Sequence, residues 1–138
     1  MRVLVCGGRK YGDAGMVYGI LDGVKRTSGV TAIIEGGATG ADALARKWAK
    51  DNGIVPITET AAWSDLTHRD AVLRNRQDGS QYDARAGIRR NQLMLDKHKP
   101  QMCIAFPGGD GTADMCRRAR AAGITVVEVT ADQGTELI

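Results

Sequence analysis

Three times in this chain a β-rich stretch runs into a pair of glycines and then into a helix-compatible stretch. Val3-Leu4-Val5-Cys6 leads to Gly7-Gly8-Arg9, Thr31-Ala32-Ile33-Ile34-Glu35 to Gly36-Gly37-Ala38-Thr39-Gly40-Ala41-Asp42, and Met102-Cys103-Ile104-Ala105-Phe106 to Pro107-Gly108-Gly109-Asp110-Gly111-Thr112. A strand feeding a helix through a glycine turn is half of a βαβ unit, and repeating it commits the chain to a parallel sheet. The turn also aims backbone N–H groups and the positive end of a helix dipole at one point, which makes an anion site, most often for phosphate. Glycine suits it because a Cβ would block phosphate oxygens and because some of these φ angles are expected to be positive. Tight βα turns need glycine for their own sake as well. One instance therefore says little, and three in 138 residues say more.

The alternation continues along the chain. Strands are expected near 2–6, 31–35, 54–58, 102–106 and 124–129, and helices near 14–27, 40–52, 87–98 and 111–122. Val17, Leu21 and Val24 have helical apolar spacing, Ala41, Leu44, Ala45 and Trp48 share one face, and the helix near 87–98 carries Ile88, Gln92, Leu93 and Leu95. Gly53 and Gly123 read as helix caps. The pattern predicts an α/β fold: a single Rossmann-like three-layer domain over 1–138, with a parallel sheet of about five strands in order 3-2-1-4-5. Ligands of such sheets sit beyond the carboxyl ends of the strands, where the order reverses. All three glycine loops follow a carboxyl end, so they face one edge. The tail after Thr130 is expected to fray.

Residues 62–87 interrupt the rhythm. Trp63, His68, Arg69, Arg74, Arg76, Asp78, Tyr82, Asp83 and Arg85 are crowded into them, and Asp78-Gly79-Ser80 reads as a hairpin tip. The segment is expected to be an insertion acting as a lid or an oligomer contact, against the alternative of a loose surface loop.

Composition excludes several classes. The longest apolar runs fall far short of the ~20 residues that span a bilayer, and no charged and apolar leader is visible at the start. Cys6, Cys103 and Cys116 are odd in number and lie in expected strands and helices without metal-ligand spacing. They read as buried reduced thiols of a cytoplasmic protein. Net charge is only +3, and aromatic residues make up 4% of the chain. Nucleic acid is therefore not an expected partner, nor is a membrane. Arg85, Arg89 and Arg90 precede or open one helix; Arg117, Arg118 and Arg120 lie on another and read as a solvated face.

The segments Val-Cys-Gly-Gly-Arg at 5–9, Glu-Gly-Gly-Ala-Thr-Gly-Ala-Asp at 35–42, Ala-Gly-Ile-Arg-Arg-Asn-Gln at 86–92 and Pro-Gly-Gly-Asp-Gly-Thr-Ala-Asp-Met at 107–115 resemble the YspA-like branch of the SLOG superfamily. The resemblance runs over nearly the whole chain. It implies a Rossmann-like domain related to the "lonely guy" phosphoribohydrolases, in a superfamily that binds nucleotides or nucleotide-derived signals and also occurs in DNA-uptake proteins. It leaves a bacterial and a phage source both open. In the phosphoribohydrolases an arginine acts with a glutamate that ends the Pro-Gly-Gly-x-Gly-Thr motif. The arginine matches Arg90, with Arg89 beside it, and the glutamate position falls on Met115. Methionine neither carries a proton nor stabilises an oxocarbenium ion, so this departure speaks against hydrolysis. Asp114, Asp42 and Glu35 are the remaining carboxylates. Asp114 stands ~100° around a helix from the family position, so it need not share the crevice. Restoring glutamate at Met115 is the expected route to weak activity.

The expected ligand-binding residues are Gly7, Gly8, Arg9, Gly36, Gly37, Thr39, Asp42, Arg89, Arg90, Asn91, Pro107, Gly108, Gly109, Gly111 and Thr112. Arg9 forks onto a phosphate or forms a salt bridge with Asp13 or Asp42. Asp42 caps the second helix or accepts from a ribose hydroxyl. Thr112 caps its helix and donates to phosphate. Trp63 stacks on a base or packs in the core or between subunits. His68 reads as surface. Should the chain be an enzyme, Arg90 and Asp114 are the catalytic candidates. No metal set and no cofactor is indicated. The expectation is a sensor or sequestering protein for a phosphorylated nucleoside, ADP-ribose-like or cyclic nucleotide signal, assembled as a dimer or larger homo-oligomer. A nucleotide N-glycosidase is the alternative.

Overall fold

A computed structural model describes residues 1–130; the fraying expected after Thr130 lies outside the described residues. The elements run β1 (Arg2–Cys6), α1 (Ala14–Ser28), β2 (Ala32–Glu35), α2 (Ala41–Asp51), β3 (Ile57–Thr58), β4 (Leu73–Asn75), β5 (Gln81–Asp83), α3 (Ala86–His98), β6 (Met102–Ala105), α4 (Asp110–Ala121) and β7 (Thr125–Glu128). The main sheet has the order β3-β2-β1-β6-β7, with every pairing parallel. With the β4–β5 hairpin set aside, this is the expected 3-2-1-4-5 order.

The pleat explains why β1 reads as an unbroken apolar run. Val3 and Val5 face one core with Val17 and Leu21 of α1 and Ala41, Ala45 and Trp48 of α2. Leu4 and Cys6 face a second core with Met94 and Leu95 of α3 and Met115, Cys116 and Ala119 of α4. A strand buried on both faces cannot alternate polar and apolar residues. Each fully buried Val or Leu here stabilises by about 1.5–3 kcal/mol relative to exposure. Trp48 is also fully buried and donates its indole N–H to Asp22 Oδ1 at 2.8 Å.

Helix boundaries follow local chemistry. Asp13 caps α1, its Oδ1 accepting from Met16 N at 3.0 Å. By contrast α2 and α4 start at Gly40 and Gly109, with no side-chain cap. Gly53 and Gly123 stand one residue past the caps Asn52 and Ala122, the usual place for glycine after a helix. The strand expected at 54–58 is shortened to Ile57–Thr58. Ile54 N–H closes α2 by bonding Ala49 O at 2.8 Å, and Pro56 has no N–H to give a ladder. No helix among the described residues is long and apolar enough to cross a membrane.

The insertion is a paired hairpin. Leu73, Arg74 and Asn75 face Asp83, Tyr82 and Gln81 in antiparallel register. At the expected tip, Asp78 Oδ1 accepts from Ser80 N at 2.9 Å and Ser80 Oγ at 2.6 Å. The fully buried Asp83 ties this flap to the rest. Its Oδ1 accepts from Val72 N at 3.1 Å and Arg85 N at 2.9 Å, its Oδ2 pairs with Arg89 of α3, and its own N–H donates to Trp63 O at 2.7 Å. Breaking a buried pair from one side typically costs about 3–5 kcal/mol. Asp83→Ala is therefore expected to loosen the flap and let trypsin cut at Arg74 or Arg76 in the otherwise folded protein at least about tenfold faster. Equal cleavage rates in variant and parent would contradict this.

Candidate functional site

A cavity of about 520 Å³ opens beyond the carboxyl ends of β1, β2 and β6. Gly7, Gly8 and Arg9 enter it from β1, Gly36, Ala38 and Asp42 from β2 and α2, and Gly109, Asp110, Gly111, Thr112 and Asp114 from α4. Helix α3 contributes Gly87, Ile88, Arg90, Asn91 and Met94, and Trp63 and Ala84 wall it from the flap segment. Ten of the expected ligand residues thus share one cavity.

Backbone contact draws the loops together. Gly8 N–H donates to Pro107 O at 2.9 Å, and Gly8 O accepts from Ala41 N at 3.2 Å. A Cβ on Gly8 would stand 2.9 Å from Pro107 O. Thr39, expected on the ligand, instead spends its hydroxyl on Arg9 O at 2.9 Å. Pro107 and Gly108 lie under the first loop rather than in the cavity lining, and Gly37 packs against Thr58 and Thr60. Arg89 is also displaced from the expected set, because it pairs with Asp70 and Asp83 to anchor the flap.

The charged groups have distinct duties. Asp42 neither caps α2 nor pairs with Arg9. Its Oδ2 accepts from Gly36 N at 3.1 Å and Ala38 N at 3.2 Å, which organises the second loop. Burial raises its pKa, opposed by the bond from Ala38 N–H. Arg90 is braced on Gly36 O at 2.6 Å, with Nε to Asn91 Oδ1 at 3.2 Å. Burial lowers its pKa, opposed by the nearby Asp42 charge. Among the described residues no carboxylate lies within ion-pair distance of Arg90 or Arg9. Arg9 instead lies over the Trp63 ring, 5.4 Å from its centroid. Two cations and an uncapped helix start therefore meet at this cavity. That arrangement favours a bound anion.

The carboxylate candidates separate. Asp114 lines the cavity and is held by Asn91 Nδ2 at 3.0 Å, Arg118 Nε at 2.8 Å and Arg117 Nη2 at 3.3 Å. Met115 is fully buried in the core between the sheet, α3 and α4 and does not line the cavity. Asp114 thus shares the crevice, an outcome that the ~100° offset from the family position leaves open. Glu35 is fully buried under the loop, accepting from Gly37 N at 2.6 Å, Arg46 at 3.0 Å and Thr58 Oγ1. Thr112 is the third residue of α4 and not its cap. Nor are Arg117, Arg118 and Arg120 only a solvated face: Arg117 and Arg118 hold Asp114, Arg118 also reaches Gln92 Oε1 at 3.0 Å, and Arg120 pairs with Glu128.

Gly87, Ile88 and Met94 were missed from sequence, although the spacing Gly87, Arg90, Asn91, Met94 marks one face of a helix. Cys6 also borders the cavity. Its Sγ lies 3.9 Å from Cys103 Sγ, and all three cysteines are free and buried. Hydrogen bonding from Cys6 lowers the Cys116 thiol to about 7, while bonds with Cys103 and Cys116 and burial raise Cys6.

The sequence model of the YspA, cpYpsA-related SLOG family matches residues 1–65. The Gene 61 protein of Mycobacterium phage D29 is 32% identical over 134 residues, covering 91% of this chain and 94% of that protein. The chain belongs to the YspA, cpYpsA-related SLOG family. The X-ray structure of DNA processing protein A (DprA) from Streptococcus pneumoniae superimposes with a TM-score of 0.69 at 20% identity, over 94% of this chain and 50% of that one. The fold is shared, and this chain spans about half the length of that protein.

The placement of Met115 reverses the outcome expected for its glutamate variant. Met115→Glu puts a carboxylate among Leu4, Ile34, Met94 and Leu95. It is expected to destabilise the protein by at least about 3 kcal/mol in urea unfolding, without creating a cavity-facing acid. Unchanged stability together with release of free base from AMP would contradict this placement.

Proposed function

We propose that this chain binds a phosphorylated nucleoside or a nucleotide-derived signal, ADP-ribose-like or cyclic, and acts as a sensor or sequestering protein. The observation that carries the reading is the meeting of three βα loops at one cavity with two guanidiniums that form no ion pair with a carboxylate among the described residues. Gly8, Gly36, Gly109 and Gly111 bring backbone close to the cavity, and a Cβ on Gly109 or Gly111 would meet no protein atom within 4 Å. That leaves open space against the N-terminus of α4, where phosphate oxygens are favoured. A volume of about 520 Å³ is in the range of small-molecule sites.

One observation favours a second reading, the nucleotide N-glycosidase. Asp42 and Asp114 both line the cavity with Arg90. Asp114 holds three donors across its two oxygens, and Asp42 spends Oδ2 on the two backbone N–H groups that organise the second loop, so both carboxylates already serve as structural acceptors. We rank binding first for that reason. The expectation that nucleic acid is not a partner stands in tension with the likeness to a DNA processing protein, so single-stranded DNA belongs among the ligands tested. Assembly as a homo-oligomer remains part of this proposal, with the hairpin segment as the surface offered to a second copy.

Isothermal calorimetry against nucleoside mono- and diphosphates, cyclic dinucleotides and ADP-ribose derivatives tests the reading. At least one is expected to bind, and Arg9→Ala is expected to weaken it by about 1.5–3 kcal/mol, as for loss of a charge-assisted contact. No binding across the panel by folded protein contradicts it. Free base released on long incubation, and abolished in Arg90→Ala, replaces binding with hydrolysis.

A further inference from the structure

A second cavity of about 470 Å³ adjoins the first and is lined by Arg9, Trp63, Arg76, Tyr82 and Ala84. Arg9, Trp63 and Ala84 border both. Two aromatic rings and two guanidiniums therefore make up most of its wall. Trp63 and Tyr82 meet edge to face, with centroids 6.3 Å apart at 67°. Arg9 lies 5.4 Å from the Trp63 centroid and Arg76 5.2 Å from that of Tyr82. Such pairs preorganise both ring and cation.

The polar ends of this cluster are largely unspent. Among the described residues, the Arg9 guanidinium, the Trp63 indole N–H and the Tyr82 hydroxyl make no hydrogen bond. Trp48, by contrast, spends its indole N–H inside the protein. Arg76 is fixed by Ser80 Oγ at 3.2 Å and Gln81 O at 3.0 Å, which holds its plane against Tyr82. A flap that served only to cover the sheet would gain nothing from a cation with open donors between two cavities.

Resting on the nucleotide reading above, we propose that the flap cavity is a stacking subsite for a planar base. The ligand is then bipartite: two nucleoside halves joined through phosphates that pass Arg9. One half occupies the cavity against α4, and the other lies against the rings of the flap. Arg9, common to both, forks onto the linking phosphates. A small ligand is favoured over a nucleic acid strand by the site's extent. Strand-binding surfaces repeat their stacking places along a basic groove, whereas here a single aromatic pair serves one cavity of bounded size.

The test titrates the whole chain with AMP, with adenosine joined to adenosine through pyrophosphate, and with an oligothymidine strand, following calorimetry and tryptophan emission. The pyrophosphate-linked compound is expected to bind at least about tenfold more tightly than AMP and to quench the half-buried Trp63. Tyr82→Leu and Arg76→Gln, which border only the flap cavity, are each expected to weaken that compound by about 5- to 150-fold and leave AMP unchanged. Should one variant fail to fold, the other decides. Equal affinity for the two adenine compounds overturns the subsite and leaves the mononucleotide reading in place. So does indifference of the linked compound to the folded variants. Absence of any nucleotide binding overturns both. Oligothymidine binding more tightly than the linked compound, and weakened by the same variants, overturns the small ligand in favour of a single strand.

Discussion

The site depends on a contact that only glycine permits, where the loop after β1 lies directly on the loop after β6. Gly8 N–H bonds Pro107 O at 2.9 Å, and Gly8 N would be 2.8 Å from a Cβ placed on Gly108. Parallel pairing of β1 with β6 sets the two strand ends side by side, Cys6 opposite Ala105. Side chains at these positions would hold the loops apart. The loop after β2 joins through the start of α2, whose Ala41 N–H bonds Gly8 O. There Gly40 has a φ of 72°, a left-handed conformation that other residues adopt only at a cost. The three turns thus support one another before any ligand is considered.

This arrangement sorts the charges. The carboxylates near the cavity are already engaged by protein donors, Asp42 by the loop backbone and Asp114 by an amide and two guanidiniums. The cations form no ion pair among the described residues, although the Asp42 charge acts on Arg90 from beyond pairing distance. Arg90 rests on a carbonyl and an amide oxygen, and Arg9 on an aromatic face. Positive charge is thereby left over where the helix start and the loop N–H groups gather. An anion entering the cavity would exchange its water for prepared donors.

Much of this was legible in the sequence because parallel βα units write their rules locally. A continuous apolar strand, a glycine turn and a 3.6-residue helical period each occupy fewer than about 15 residues, so the order of the core strands and the edge carrying the loops could be read directly. The details set by distant partners were not legible. Asp42 looked like a helix cap, since its bonds to the loop six and four residues back exist only once the loop folds over. Arg118 looked solvated until α3 brought Asn91 and Gln92 against α4. The antiparallel flap could be guessed from Asp78-Gly79-Ser80, but Asp83 as its buried anchor depends on Arg89 from the following helix. Met115 shows the same limit: a motif position names a role, whereas the packing of α4 decides which residue faces the cavity.

The central claim is that the cavity built by the three glycine loops holds the phosphate of a nucleotide. The most direct measurement is an amide-resolved NMR titration of the uniformly labelled chain with the tightest nucleotide. The account predicts that the largest shifts fall on the N–H groups of Asp110, Gly111 and Thr112 at the start of α4. Those three amides unmoved at saturation would contradict it.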